Sequence, residues 1–147
     1  MAKIWLSILV AAASGALMTI QGTFNSALLK KIGLVNMAVF VSATGFLVAV
    51  AIFLFWGRWG ELARVTAAPW YAWLGGAIGV AIIGGVAVAI RQVSTALAIS
   101  SIITAQLATA LVVDHFGLFG AERVGLTWLR LVGLVLMVIG TRLMVDR

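Results

Sequence analysis

Five long apolar stretches, divided by short polar breaks, make up nearly all of the chain. An α-helix rises about 1.5 Å per residue, so roughly 20 apolar residues cross a hydrocarbon core about 30 Å thick. The pattern predicts transmembrane helices over 4–29, 34–56, 70–90, 95–113 and 125–145. The first is longer than a crossing needs, which implies tilt or a polar end held inside protein. It stops at Lys30, Lys31, Ile32 and Gly33. A loop from Gly57 to Pro69 follows the second stretch, and Pro69 stands where a helix would begin, a position proline favours. Only Arg91 and Gln92 interrupt the third and fourth stretches. Asp114 and His115 end the fourth, a turn carrying Gly117, Gly120, Glu122 and Arg123 follows, and Asp146 and Arg147 come after the fifth. Tryptophan favours the membrane–water boundary. Trp5, Trp56, Trp59, Trp70, Trp73 and Trp128 all fall at or beside a predicted end, and Tyr71 joins them. Lys3, the apolar run and the small residues Ala11 to Ala13 imitate a signal peptide, but the run continues past any cleavage point and becomes patterned.

Composition agrees with an all-α integral membrane protein. Of 147 residues, 64% are hydrophobic and 10% charged, against roughly 45–50% and about 25% in soluble domains. There is no cysteine, which excludes disulfides, thiolate metal sites and thiol nucleophiles. One histidine and four acids leave too few ligands for most metal centres, and no cofactor or metal is expected. The net charge of +6 comes from ten bases scattered one or two at a time between apolar runs. They read as membrane-flanking charges, with lipid rather than nucleic acid as the partner.

The placement of those bases carries the first functional clue. Lysine and arginine near span ends set orientation, the richer side staying cytoplasmic. With five spans, Lys3, Arg58, Arg64, Arg123 and, just inside span five, Arg130 lie on one side. Lys30, Lys31, Arg91, Arg142 and Arg147 lie on the other. The chain has no clear bias. An unbiased chain can insert both ways and pair with itself as an antiparallel homodimer; one orientation fixed by lipid or a partner is the other reading. Many transporters consist of two inverted repeats with the site at their interface. An odd-span unit fused in tandem inverts automatically, so an unfused five-span chain fits one half of a ten-helix transporter.

Polar residues within the spans supply the candidate site. Ser7, Ser14, Gln21 and Asn25 share one face of span one. Amides in hydrocarbon must face protein or water. They act either as interhelical glue or as substrate contacts, for which Gln21 and Asn25 offer donors and acceptors one turn apart. Span three is a close-packing element: Gly75 and Gly79 form a GxxxG pair, and Ala81 and Gly85 continue a small-residue strip. Span four is the most polar, with Ser100, Ser101, Thr104, Gln106 and Thr109, and Thr104 and Gln106 are further substrate-binding candidates. Asp114 with His115 forms either a proton relay or a solvated interfacial pair. Arg130 either snorkels to the headgroups or faces inward as a charged gate. No carboxylate lies mid-span, which argues against a proton-driven pump of quaternary cations. No nucleotide-binding or nucleophile motif is present, so an enzyme is not expected.

The motifs together resemble the YdcZ-like family, a domain of unknown function within the drug/metabolite transporter superfamily. The resemblance rests on Gly15 with Gln21-Gly22-Thr23-Phe24-Asn25-Ser26-Ala27-Leu28, on Trp73-Leu74-Gly75-Gly76-Ala77-Ile78-Gly79, and on Ala105-Gln106 with Asp114-His115-Phe116-Gly117-Leu118-Phe119-Gly120. Arg130-Leu131-Val132-Gly133 with Gly140 completes it. Ala105 stands where the family pattern has glycine. The resemblance implies a five-helix half of a ten-helix fold, found as dual-topology chains, oppositely oriented pairs or fusions. It carries over Gln21, Asn25, Gln106, Asp114 and Arg130 as motif positions without giving their roles. The expectation is a multi-pass protein of the bacterial cytoplasmic (inner) membrane, forming a single five-helix membrane domain. It would carry a small polar or amphipathic solute by alternating access as an antiparallel homodimer. A non-transporting subunit of fixed orientation and a passive channel are the rival readings.

Overall fold

The computed structural model describes residues 2–145. Asp146 and Arg147, expected to follow the last span and, for Arg147, counted in the charge balance, lie outside the described residues. Among the described residues four segments are long and apolar enough to cross a membrane: Lys3–Ile32, Leu34–Trp56, Trp70–Gln92 and Thr95–Phe116. The chain divides into two compact units, one reaching Val88 and one beginning at Ala89.

The first unit opens with α1 (Ala2–Ile32), 31 residues, or about 46 Å of helix. Its length exceeds the hydrocarbon core, as the sequence implies. A single residue, Gly33, joins it to α2 (Leu34–Trp56). Gly33 has φ 79° and ψ 167°, a region open essentially to glycine alone. Its N–H donates to the Leu29 carbonyl and its own carbonyl accepts from Met37 N–H, both at 3.0 Å. Valine at position 33 is expected to destabilise this connection by about 1–3 kcal/mol, read as a lower thermal midpoint in detergent.

The core of this unit is small. Leu29, Met37 and Ala87 are buried, with Leu28, Val41, Ile83 and Val88 packed against them. Met37 is the largest fully buried side chain. Most other apolar side chains on α1 and α2 are exposed, including Leu17, Phe24, Phe46 and Leu54. In a bilayer such surface faces lipid or another chain.

After α2 the chain forms the short α3 (Trp59–Leu62) and a 3-10 turn, Ala63–Ala67. Arg58 pairs with Glu61 at 3.0 Å across this exposed stretch. Pro69 then precedes the third segment, which begins as a 3-10 turn (Trp70–Leu74) before becoming α4 (Gly75–Gln92). Two residues, Val93 and Ser94, separate α4 from α5.

In the second unit, the Ser94 side chain caps α5 (Thr95–Phe116) by accepting from the Leu97 N–H. The helix runs three residues beyond Val113, so Asp114 and His115 lie in its last turn. Gly117, left-handed at φ 64°, ends it. A Cβ there would sit 3.3 Å from the Ala121 carbonyl oxygen. A 3-10 turn (Leu118–Gly120) and an irregular stretch lead to α6 (Trp128–Leu143), capped by Thr127. At 16 residues, or about 24 Å, α6 is shorter than the hydrocarbon core. The fifth predicted span is thus helical over 128–143 and is not among the four segments named above. Its first residues are taken up by the extended approach to the Thr127 cap.

Candidate functional site

Four hydroxyls on α1 satisfy themselves. Ser7, Ser14, Thr19 and Thr23 each donate to the carbonyl four residues earlier, at 2.9–3.2 Å. Asn25 differs. Its side chain makes none of the hydrogen bonds found among the described residues, yet the residue is only 6% exposed. Among the described residues the one fully buried side-chain polar atom without a partner is His115 Nδ1, so the Asn25 amide atoms keep access to the surface.

Asn25 borders two concavities. One, about 530 Å³, is lined by Ser14, Leu17, Met18, Ile20, Gln21, Phe24 and Asn25. The other, about 470 Å³, lies between α1 and α2 and adds Phe40, Val41, Thr44 and Val48. Gln21, Phe24 and Asn25 border both. Gln21, one turn from Asn25, is exposed. The sequence-predicted trio of Ser14, Gln21 and Asn25 therefore shares one surface, with Ser14 already bonded within its helix. Ser26, which sequence reasoning quoted but did not select, is 4% exposed and also makes none of these hydrogen bonds. Its neighbourhood with Asn25 was the only available signal.

The small residues of α4 divide by role. Ala81 and Gly85 line an apolar groove of about 740 Å³ against Leu34, Ala38 and Ser42 of α2. A Cβ at Gly84 would meet Leu34 Cδ1 at 3.4 Å, whereas one at Gly75 or Gly79 would meet nothing within 4 Å among the described residues. The contact thus occurs five residues beyond the GxxxG pair.

The candidates on α5 and α6 belong to the second unit. Thr104 Oγ1 lies 2.9 Å from Thr141 Oγ1, and both hydroxyls reach the Ser100 carbonyl, at 2.8 and 3.2 Å. Two hydroxyl protons serve three contacts, so the cluster ties α5 to α6. Thr141→Val is expected to destabilise this pairing by about 0.6–1.7 kcal/mol, the range for interhelical bonds in membranes, measured by reversible unfolding in mixed micelles. Gln106 is exposed and unbonded among the described residues.

Asp114 and Arg130, sixteen positions apart, meet at 3.7 Å, each partly exposed. The Asp114 carbonyl also accepts from Val124 N–H at 2.9 Å. Arg123 Nε donates to the His115 carbonyl at 3.1 Å. The His115 ring packs edge-on against Phe116, and its buried Nδ1 has no hydrogen-bond partner among the described residues. These contacts fasten the connection between α5 and α6. Among the described residues no cluster of three or more His, Cys, Asp or Glu could hold a metal.

The family model described as "Putative inner membrane exporter, YdcZ" matches residues 6–143. The chain belongs to the YdcZ family. No curated protein and no solved structure matches it. YdcZ membership supports a membrane transporter in general, and the family's name locates it in the inner membrane. Gln21, Asn25, Gln106, Asp114 and Arg130 all fall within the matched YdcZ region.

Proposed function

We propose that this YdcZ protein is one half of an alternating-access carrier for a small polar or amphipathic solute. Its five apolar stretches form a single domain and each cross the membrane, the fifth by α6 together with the irregular residues that lead into it, and two copies insert in opposite orientations to form an antiparallel homodimer. The solute contacts Gln21 and Asn25; Gln106, in the second unit, is a separate candidate contact. Thr104 serves the α5–α6 tie.

The observation that carries this reading is the Asn25 amide: on a residue only 6% exposed, without a hydrogen bond among the described residues, and open to the concavities that the residue borders. A protein using that amide as glue would satisfy it across a helix pair. The absence of such a bond weighs against the fixed-orientation subunit. The balanced bases support dual insertion, and rocking of oppositely oriented copies gives equivalent inward- and outward-open states.

Purified protein in liposomes is expected to move solute with saturation. Linear, unsaturable flux would identify a channel instead. A C-terminal reporter, read in intact cells, is expected to appear on both sides of the membrane. A signal from one side alone would overturn the symmetric dimer.

A further inference from the structure

The concavity between α1 and α2 has no charged residue in its lining. The first acid in the chain is Glu61, so neither helix contributes a carboxylate. Lys30 and Lys31 are exposed and stand outside the lining. Thr44, the one hydroxyl in the lining, donates to the Val41 carbonyl at 2.9 Å. Two side-chain amides, Gln21 and Asn25, therefore hold the hydrogen-bonding capacity still open.

A carboxamide presents two donors and an acceptor, but no net charge. A cation or anion entering here would lose hydration without meeting a counter-charge. A neutral group with both a donor and an acceptor can match Asn25 on both sides. The remaining walls are apolar, and Phe24 and Phe40 offer aromatic surface to a flat body.

We infer that this pocket selects uncharged solutes: an aromatic or similarly apolar body bearing one amide-like group that pairs with Asn25. The inference rests on the site assigned above and adds the class of solute it takes.

Three probes share one ring and differ in charge: benzamide, benzoate and benzylammonium. Their binding is measured by equilibrium dialysis against the full-length protein in lipid nanodiscs at neutral pH, with empty discs subtracted. Benzamide is expected to bind saturably, about tenfold or more tighter than either ion. Asn25→Leu is expected to weaken benzamide by about tenfold while helicity and particle size hold. Asn25→Asp is expected to reverse the order and favour benzylammonium, a gain that misfolding cannot produce.

Tighter binding of either ion by the unaltered protein overturns the inference, as does the absence of saturable binding by all three. Benzamide binding unchanged in folded Asn25→Leu overturns the location. The transport reading fails separately. If Asn25-dependent benzamide binding persists but liposome flux never saturates for any solute, the solute class stands and the carrier does not. If a charged solute moves saturably and depends on Asn25, the carrier stands and the class falls.

Discussion

In liposomes, Asn25→Leu is expected to reduce saturable solute uptake by about 5- to 150-fold, the equivalent of losing about 1–3 kcal/mol of hydrogen bonding to solute. Leucine is chosen because it keeps the branched outline of asparagine, so no void opens near Leu28 and Leu29 while both donors and the acceptor disappear. Alanine would remove the amide and open a void together, mixing two causes. The initial rate is to be measured over a range of solute concentrations, with helicity and reconstitution yield as controls. Unchanged saturation kinetics in a folded variant would remove Asn25 from the transport site. Gln21→Leu is expected to act in the same direction with a smaller loss, because Gln21 is exposed and can rearrange.

Met37→Ala is expected to cost stability rather than selectivity. Its side chain is fully buried, clustered among the described residues with buried Leu29 and Ala87. Core Met→Ala changes in soluble proteins cost about 2–5 kcal/mol through lost transfer energy plus a cavity. In lipid the transfer part shrinks, because lipid tails solvate methionine as readily as the core does. What remains is lost van der Waals contact, so the expected cost lies near 2 kcal/mol, the low end of that range. Reversible unfolding in mixed micelles measures it. Leu54→Ala, on a residue 69% exposed, serves as the control and is expected to change stability by less than about 0.5 kcal/mol. Equal losses in both variants would show that the small core does not anchor the first unit.

The helices were legible because hydropathy and length report directly on a bilayer. The α1–α2 break fell at Gly33, between the lysine pair and the next apolar run. The short α6 was not legible, since Thr127 and Arg130 interrupt no apolar run strongly enough to mark a late start. Placement of the site was legible only in part. Ser14, Gln21 and Asn25 share a face, and the concavity along α1 follows that face. That Asn25 is buried and Gln21 exposed could not be read, because a lipid-facing helix carries no polar stripe to mark its outside. Pairings between distant positions, Thr104 with Thr141 and Asp114 with Arg130, leave no periodic trace. The close approach at Gly84 was hidden for a related reason: every fourth residue of α4 is small, so several strips look equally suited to packing.

The one-residue connection at Gly33 also constrains how solute can leave. Two helices joined so tightly cannot separate at that end without breaking the bonds from Gly33 to Leu29 and from Met37 to Gly33. They can only spread at their far ends, like the jaws of a clothes-peg about its spring. Any widening between them is graded along their length, least beside Lys30 and Lys31 and greatest toward Ser14 and Val48. A solute released between these two helices therefore escapes away from the lysine pair, and the same hinge in an inverted copy would point the exit the opposite way.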